Sequence, residues 1–312
     1  MGSNLASLAN GAKQKKRATR VTLGCVNACK LLAVAEKIRQ DRRNGTCELG
    51  FMPRLLVQIS LPYRETKELV WQRVNGDLTV ELVAHPNYGL PYGALPRLLL
   101  AWVEGQIQKH RSRELLTGPS LASFLRELGV STGGEGRAAF VAQWERFARM
   151  GVAYTYRGDG RDLTYRLYPF KGEQRWWSPQ AGGLDIFRAR VILDQDYFSQ
   201  VLACPVPHLT SALRELAREQ SALAMDQYVW LVHRLSYLEG AVSVPWDTLE
   251  LQFNAHRTTR EFRREFAEKL RRVLVLYPEA RVERVRKGLV LHPSPGHVPV
   301  AQRAGEGCKF SR

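Results

Sequence analysis

The chain has 312 residues, 45% of them hydrophobic, and its 46 Lys and Arg residues against 30 Asp and Glu give a net charge of +16. This length suits about two domains with real cores, and the charge favours a polyanionic partner, either nucleic acid or an acidic membrane. No stretch is apolar enough to span a bilayer, and the N-terminus lacks the order of a signal peptide. We therefore expect no membrane partner and a cytoplasmic, bacterial protein associated with the nucleoid or a plasmid.

The first 25 residues are predicted to form a disordered basic arm. They are polar and small, and residues 13–17 are a basic cluster. An N-terminal domain is predicted over residues 26–200. It begins with a helix over 26–43, followed by strands over 55–59 and 77–83, where apolar residues run together or alternate.

Residues 96–167 have the element order of a winged helix-turn-helix, which is three helices followed by a two-stranded ribbon. The first helix opens with Pro96 and runs to about residue 113. The second spans 120–128 and stops at Gly129, and the third spans 136–150. Segments 152–157 and 161–167 flank an Asp-Gly turn and predict a hairpin. A connecting layer follows this first winged helix.

The same order recurs in residues 201–293, which predicts a C-terminal winged-helix domain for DNA recognition. A helix over 225–239, a strand over 242–246 and a short helix to 253 lead to a capping box, Thr258-x-x-Glu261. The capping box opens a long helix that ends near Pro278, and a second hairpin covers 280–291. Residues 294–312 are predicted to be a flexible tail. The predicted fold class is α+β, with two tandem winged helix-turn-helix domains and a basic N-terminal arm.

The long helix after the capping box is amphipathic, with arginines opposite its apolar face. A row of guanidinium groups suits the major groove of DNA, because Arg bonds bidentately to guanine or phosphate. As the third helix of the second unit, it occupies the recognition position. The residues predicted to read bases are Thr259, Arg260, Arg263 and Arg264. The alternative is a solvated surface helix whose glutamates neutralise the arginines.

Other basic residues are predicted to contact the DNA backbone. In the second unit these are Arg257, Arg271, Arg281, Arg284, Arg286 and Lys287. In the first hairpin they are Arg157, Arg161 and Arg166. Because that hairpin also carries Tyr154 and Tyr156, two alternatives stay open. It could form a homodimer through an exposed aromatic ribbon, or be a sheet edge kept soluble by arginines.

The sequence lacks the motif of an ATP site. There is no Gly-x4-Gly-Lys-Ser/Thr loop. The seven histidines are isolated, which disfavours a metal-dependent nicking enzyme. Cys25 and Cys29 could be half of a zinc site, but no fourth ligand is evident beside Cys47. We expect a protein that is not an enzyme and that holds no metal or cofactor.

Several stretches resemble the plasmid RepA replication initiators. They are residues 88–102 (YGLPYGALPRLLLAW), 112–114, 121–134, 262–278 and 288–294. The resemblance spans about residues 50–295. It implies a non-enzymatic initiator with tandem winged helices that binds repeated origin sequences (iterons), opens the DNA and recruits the host initiator and helicase. Such initiators often repress their own promoter. The alternatives are a winged-helix transcription repressor without initiator activity and an origin-processing nuclease.

Overall fold

The computed structural model describes residues 25–158, 161–174, 190–203, 205–253 and 258–299. Over these ranges the chain combines helices with antiparallel sheets, which confirms the mixed α and β class. The assignment of two winged helices stays a prediction. Residues 1–24, the predicted basic arm up to its last residue, lie outside the described residues.

The described helices are α1 (Cys25–Asn44), α2 (Arg54–Val57), α3 (Ala94–His110), α4 (Leu121–Leu128), α5 (Gly134–Phe147), α6 (Gln195–Ala203), α7 (Thr210–Arg218), α8 (Ala222–Leu235), α9 (Trp246–Phe253) and α10 (Thr259–Leu276). The described strands are β1 (Leu49–Pro53), β2 (Val70–Asn75), β3 (Leu78–Val83), β4 (Glu114–Leu116), β5 (Gly151–Gly158), β6 (Arg161–Leu167), β7 (Phe170–Gln174), β8 (Arg190–Leu193), β9 (Pro205–Leu209), β10 (Val242–Pro245), β11 (Arg281–Val285) and β12 (Gly288–His292).

The predicted first hairpin, β5 and β6, belongs to a larger sheet of order β2-β3-β5-β6. Strand β3 pairs with β5 along its whole length, from Leu78 opposite Tyr156 to Val83 opposite Gly151. The strand predicted over 55–59 is wrong, because the chain forms the short helix α2 there. Periodicity alone does not distinguish a short apolar run in a strand from one in a helix.

Helices α3, α4 and α5 pack through a cluster of aromatic rings. The ring of Phe124 lies edge-on to Trp102 at 4.7 Å and to Phe140 at 5.6 Å, and Trp144 completes the group. Local signals set the ends of α4 as predicted: the Ser120 hydroxyl accepts the backbone N–H of Ser123, and the chain turns out of the helix through the left-handed region after Leu128.

Elements from both ends of the chain meet in one continuous core. Strand β1 pairs antiparallel with β9, and α1 packs against α10. The Arg42 guanidinium of α1 forms an ion pair with Glu279, just beyond α10. Buried Arg97 of α3 binds Asp226 of α8 through two hydrogen bonds of 2.6 and 2.7 Å. Contacts therefore cross the domain boundary predicted at residue 200, and α1 packs with elements of the second unit.

The first six residues of the predicted flexible tail, residues 294–299, contact the rest of the protein. The Tyr277 hydroxyl donates to the Pro295 carbonyl at 2.7 Å, and Arg42 donates to the Gly296 carbonyl at 3.1 Å. The His297 ring stacks on Tyr277 at 4.4 Å, and Val298 is also buried. Two buried side chains hold residues 294–299 against the core, because they remove apolar and ring surface from water. The remainder of the predicted tail, residues 300–312, lies outside the described residues.

Candidate nucleic-acid interface

Helix α10 has one buried face and one exposed basic face. Phe262, Phe266, Leu270 and Val273 are buried against the core. The exposed residues on the opposite side include Arg260, Arg264 and Arg271. At 1.5 Å per residue, this arginine row extends for about 16 Å along the axis. The capping box that the sequence predicts is present: Thr258 and Glu261 exchange their side-chain and backbone hydrogen bonds.

The three arginines of this row have no hydrogen-bond or ion-pair partner among the described residues. Arg272, on the same helix, differs from them because it forms an ion pair with Glu219 and is mostly buried. An exposed guanidinium group without an acid keeps all its donors for a ligand. Among the described residues, no glutamate pairs with an arginine of this row. This differs from the alternative of a solvated surface helix whose glutamates neutralise the arginines.

The other two predicted base-reading residues are tied to helix α9. Arg263 Nε donates to Glu250 Oε1 at 3.2 Å, and the Thr259 hydroxyl donates to Glu250 Oε2 at 3.0 Å. Asp247 lies 3.5 Å from the Arg263 guanidinium. Glu250 thus fixes the first turn of α10 on α9. Arg263 still carries N–H donors beyond the Nε atom that Glu250 uses.

Trp246 joins α10 to the second hairpin. The Arg263 guanidinium lies over its ring at 5.7 Å and the Arg284 guanidinium lies over the same ring at 5.8 Å, both within cation–π range. The buried ring also packs edge-on against Phe266 of α10 at 6.0 Å. Arg284, which is predicted to contact the DNA backbone, is exposed. Its guanidinium group is already held over the Trp246 ring.

The second hairpin carries an exposed basic turn. Residues Arg286 and Lys287 form the two-residue turn between β11 and β12, and both are exposed. The Lys287 carbonyl accepts the backbone N–H of Trp246 at 3.0 Å. A Cβ atom at Gly288 would lie 2.0 Å from the Val244 carbonyl oxygen, so only glycine allows β12 to pair this closely with β10. Arg281 is exposed at the start of β11.

The register of the first hairpin separates two of its arginines, Arg157 and Arg166, from its aromatic residues. Paired residues in an antiparallel ladder lie on the same face. The pairs Arg157 with Asp162 and Ala153 with Arg166 place both arginines on one face. The Arg157–Asp162 ion pair, at 3.5 Å, joins two largely exposed side chains and contributes little.

The aromatic residues lie on the other face of this hairpin. The Tyr154 and Tyr165 rings stack at 5.0 Å, and Tyr156 and Leu163 form the next pair and remain largely exposed. Burial raises the pKa of the Tyr154 hydroxyl, which accepts a hydrogen bond from Gln200 of α6. Phosphate contact through Arg157 and Arg166 and dimer formation through the aromatic residues thus fall on opposite faces of the hairpin.

Arg257 and Arg161 are the remaining residues that were predicted to contact the DNA backbone. Arg257 lies outside the described residues. Arg161 begins β6, where its backbone is paired with Gly158. Sequence reasoning missed Glu250 and Trp246, which position the basic residues; no local pattern marks them, because their contacts join α9 to elements later in the chain.

Among the described residues, no group of three or more His, Cys, Asp or Glu side chains is arranged to hold a metal ion. Within the same ranges, no helix combines the length and apolarity needed to cross a membrane.

Comparison with known proteins identifies the family. A family model described as plasmid encoded RepA protein matches residues 90–248, about half of the chain. The chain belongs to the RepA family. The match runs from the end of the turn before α3 into α9 and stops before α10, so membership rests on residues other than the arginine row. Membership supports a role as a plasmid replication initiator, which implies DNA binding.

Two crystal structures of RctB resemble the RepA-family fold described above. A selenomethionine derivative of RctB domains 2 and 3 shares 11% identity, with a TM-score of 0.53, and covers 77% of this chain and 98% of that one. A second structure of RctB domains 2–3 shares 12% identity, with a TM-score of 0.46, and covers 76% and 94% of the two chains. At these identities the likeness concerns the fold alone. No curated protein matches the sequence.

Proposed function

We propose that the protein initiates plasmid replication by binding repeated sequences in double-stranded origin DNA through α10. The observation that carries this proposal is the exposed row of Arg260, Arg264 and Arg271, which lies opposite a buried apolar face and has no acidic partner among the described residues. A helix of this kind fits the major groove, where guanidinium groups read guanine edges. RepA-family membership supplies the setting of a plasmid origin.

Within α10 the predicted roles divide along the helix. Arg260 and Arg264, with Thr259, lie in the first two turns, the part that enters the groove in helix-turn-helix proteins. Arg263 reads a base with the donors that Glu250 leaves free, or moves off Glu250 on binding. Arg271, two turns further along, contacts phosphate, and so does Arg257 before the helix.

The second hairpin acts as the wing of this domain and contacts the DNA backbone. Its exposed cations are Arg281, Arg284, Arg286 and Lys287. A turn that extends two cations beyond the sheet neutralises phosphates without reading sequence. Trp246 supports this role, since it fixes the hairpin against α10.

The N-terminal winged helix holds the DNA backbone or a second copy of the chain. Arg157, Arg161 and Arg166 would contact phosphates, whereas the exposed face with Tyr156 and Leu163 would pair in a homodimer. Two winged helices on one duplex lie about one helical turn apart. Distortion of the origin, recruitment of the host initiator and helicase, and repression of its own promoter complete the proposed role. We propose no enzymatic activity and no cofactor, and a location in the bacterial cytoplasm with the plasmid.

Footprinting of the purified full chain on its plasmid's own origin tests this proposal. Protection of direct repeats at the spacing of a helical turn supports an initiator. Protection of a single palindrome at a promoter, without repeats, supports the winged-helix repressor instead. Incubation of supercoiled origin DNA with the protein and Mg²⁺ should leave the DNA intact, and a strand-specific nick at the origin would refute the non-enzymatic role.

A further inference from the structure

A solvent-accessible cavity lies on the side of α10 away from the arginine row. Its volume is about 150 Å³, and its wall includes Ser221, Arg64 and Lys269. A single water needs about 10–15 Å³ of such space, so the cavity holds a small ligand or several waters. Phe262 also lines it, and Lys269 lies two turns from Phe262 on the same face of α10. The cavity is therefore separate from the proposed DNA interface.

The N-terminus of α8 opens into this cavity. Helix α8 has 14 residues, and the cavity wall contains its N-cap Ser221 and its first residue, Ala222. The first N–H groups of any helix lack intrahelical acceptors, and the helix dipole places about half a positive charge there. In most helices an N-cap side chain accepts one of these groups, but the Ser221 side chain makes no such bond. The N-terminus therefore keeps its donors for another acceptor.

The Ser221 hydroxyl is a second and independent sign of a ligand. Ser221 is only 5% exposed, and its Oγ atom has no hydrogen-bond partner among the described residues. A buried hydroxyl without a partner costs about 1–3 kcal/mol of folding free energy, so such groups in native proteins are normally satisfied by something. Because Ser221 lines the cavity, a ligand bound there would satisfy it.

The charges of the wall select an anion. Arg64 and Lys269 both line the cavity, and Lys269 is mostly buried, with Glu268 at 3.5 Å. Glu265 is the acidic side chain in the wall, and it already has an interaction partner. Glu265 and Glu268 offset these two cations, so the partial positive charge and the free N–H groups of the helix N-terminus make the wall a setting for phosphate.

We propose that this cavity binds a phosphate group, either inorganic phosphate or a phosphomonoester. The N-terminal N–H groups of α8 and the Ser221 hydroxyl donate to the phosphate oxygens, and Arg64 and Lys269 balance its charge. The site does not depend on the proposed DNA-binding role, because none of these groups belongs to the exposed arginine row.

Thermal unfolding and calorimetric titration of the full chain with potassium phosphate, at constant ionic strength, test this proposal. We expect saturable binding and, at a tenfold excess over Kd, a rise in Tm of about 2 °C for a chain of this size. Sodium chloride at equal ionic strength should not reproduce it. An unsaturable shift, or one that chloride reproduces, would refute the site.

Two variants and a matched control locate the binding. Ser221→Ala removes only an unpartnered hydroxyl, so it should not lower Tm without phosphate, while it weakens phosphate affinity about tenfold. Lys269→Gln should weaken it by a similar factor. The control Lys37→Gln changes an exposed lysine of α1 and should bind phosphate like the parent. Equal affinity in all four proteins would overturn the assignment.

Two further arms identify the source of the phosphate. Adenosine monophosphate that binds at least as tightly as inorganic phosphate points to a phosphomonoester, and failure to bind it points to the free ion; either result supports the site. A random-sequence duplex should not displace bound phosphate, and displacement would make the cavity part of the DNA interface. Affinity for duplex DNA should be equal in Ser221→Ala and the parent. Failure of the phosphate-site proposal is therefore distinguishable from failure of the proposed DNA-binding function.

Discussion

Substitution of two arginines of α10 allows the effects on DNA recognition and on folding to be measured separately within one helix. Arg264 is exposed and has no partner among the described residues, whereas Arg272, two turns later, is mostly buried in an ion pair with Glu219. Both lie on the same element and both become Ala by the same truncation. The paired substitutions Arg264→Ala and Arg272→Ala therefore differ in environment and not in chemistry.

The two substitutions should have opposite effects: Arg264→Ala should weaken DNA binding and leave stability almost unchanged, and Arg272→Ala should do the reverse. Arg264→Ala removes a surface group, so the free energy of unfolding should change by no more than about 0.5 kcal/mol. If the side chain reads a base, specific binding should weaken by about 1–3 kcal/mol, which is roughly 5- to 150-fold in Kd. Arg272→Ala leaves Glu219 mostly buried without its cation; a fully buried pair would lose 3–5 kcal/mol, and partial exposure reduces this to about 2 kcal/mol. Its specific binding should stay within about twofold of the parent.

Urea denaturation measures the first quantity, and fluorescence anisotropy with an origin repeat and a random duplex at fixed salt measures the second. For Arg264→Ala the loss should be larger on the repeat than on the random duplex. Equal losses on both duplexes would reduce Arg264 to a phosphate contact. If Arg264→Ala loses no affinity for either duplex and Arg272→Ala binds more weakly than the parent, the arginine row is not the face of α10 that contacts DNA, and the proposal is refuted.

Three further predictions concern the framework around the site. Gly288→Ala should lower Tm and DNA affinity together, because its Cβ atom would meet the carbonyl of β10 at 2.0 Å, whereas Gly240→Ala has open space and should change neither; normal folding of Gly288→Ala would contradict this. Asp226→Asn should lower the free energy of unfolding by about 3 kcal/mol, as measured by urea denaturation, because Arg97 then stays buried without its counter-charge. The double variant Asp226→Leu with Arg97→Met should recover most of that loss. If the single variant is as stable as the parent, the pair does not hold α3 to α8. Burial lowers the pKa of three histidines, to about 3, 4 and 4 for His297, His208 and His233. Their stabilisation is complete above pH 6.5 and is lost as the pH falls towards 4, by up to about 2 kcal/mol each at pH 5. Burial raises the pKa of Glu104 to about 8, which has the opposite sign and reduces the net loss. Urea denaturation at pH 7 and pH 5 measures the difference, and greater stability at pH 5 would show that the histidines do not dominate.

The sequence predicts elements whose signals are local. The capping box at Thr258, the stop of α4 at Gly129 and the apolar face of α10 each depend on residues within a few positions, and each is present in the structure. The pairing of β1 with β9 was not predicted, since it joins segments about 150 residues apart in the chain. Burial of His297 was missed for the same reason: its partners are far away in the sequence, and the segment is rich in proline and glycine.

For the candidate site, the sequence predicts which residues are cationic and which face they share, but not which cations are already occupied. A helical wheel groups Arg260 with Arg264 because the period of the helix fixes their angle. It places Arg263 on the flank without showing that Glu250 binds it, because Glu250 lies on another helix, α9. Partners of a charged side chain are decided by tertiary packing, so a count of arginines overstates the donors available to DNA.

The contacts of Trp246 explain how a small hairpin and a helix can act on one duplex. Its ring lies under guanidinium groups from both α10 and β11, and its backbone N–H is bonded to the carbonyl of Lys287 in the basic turn. Three contacts from one buried residue hold the basic turn and the arginine row at a fixed separation before any ligand arrives. Preorganisation of this kind lowers the entropic cost of binding, so base reading by α10 and phosphate contact by the turn can be made together.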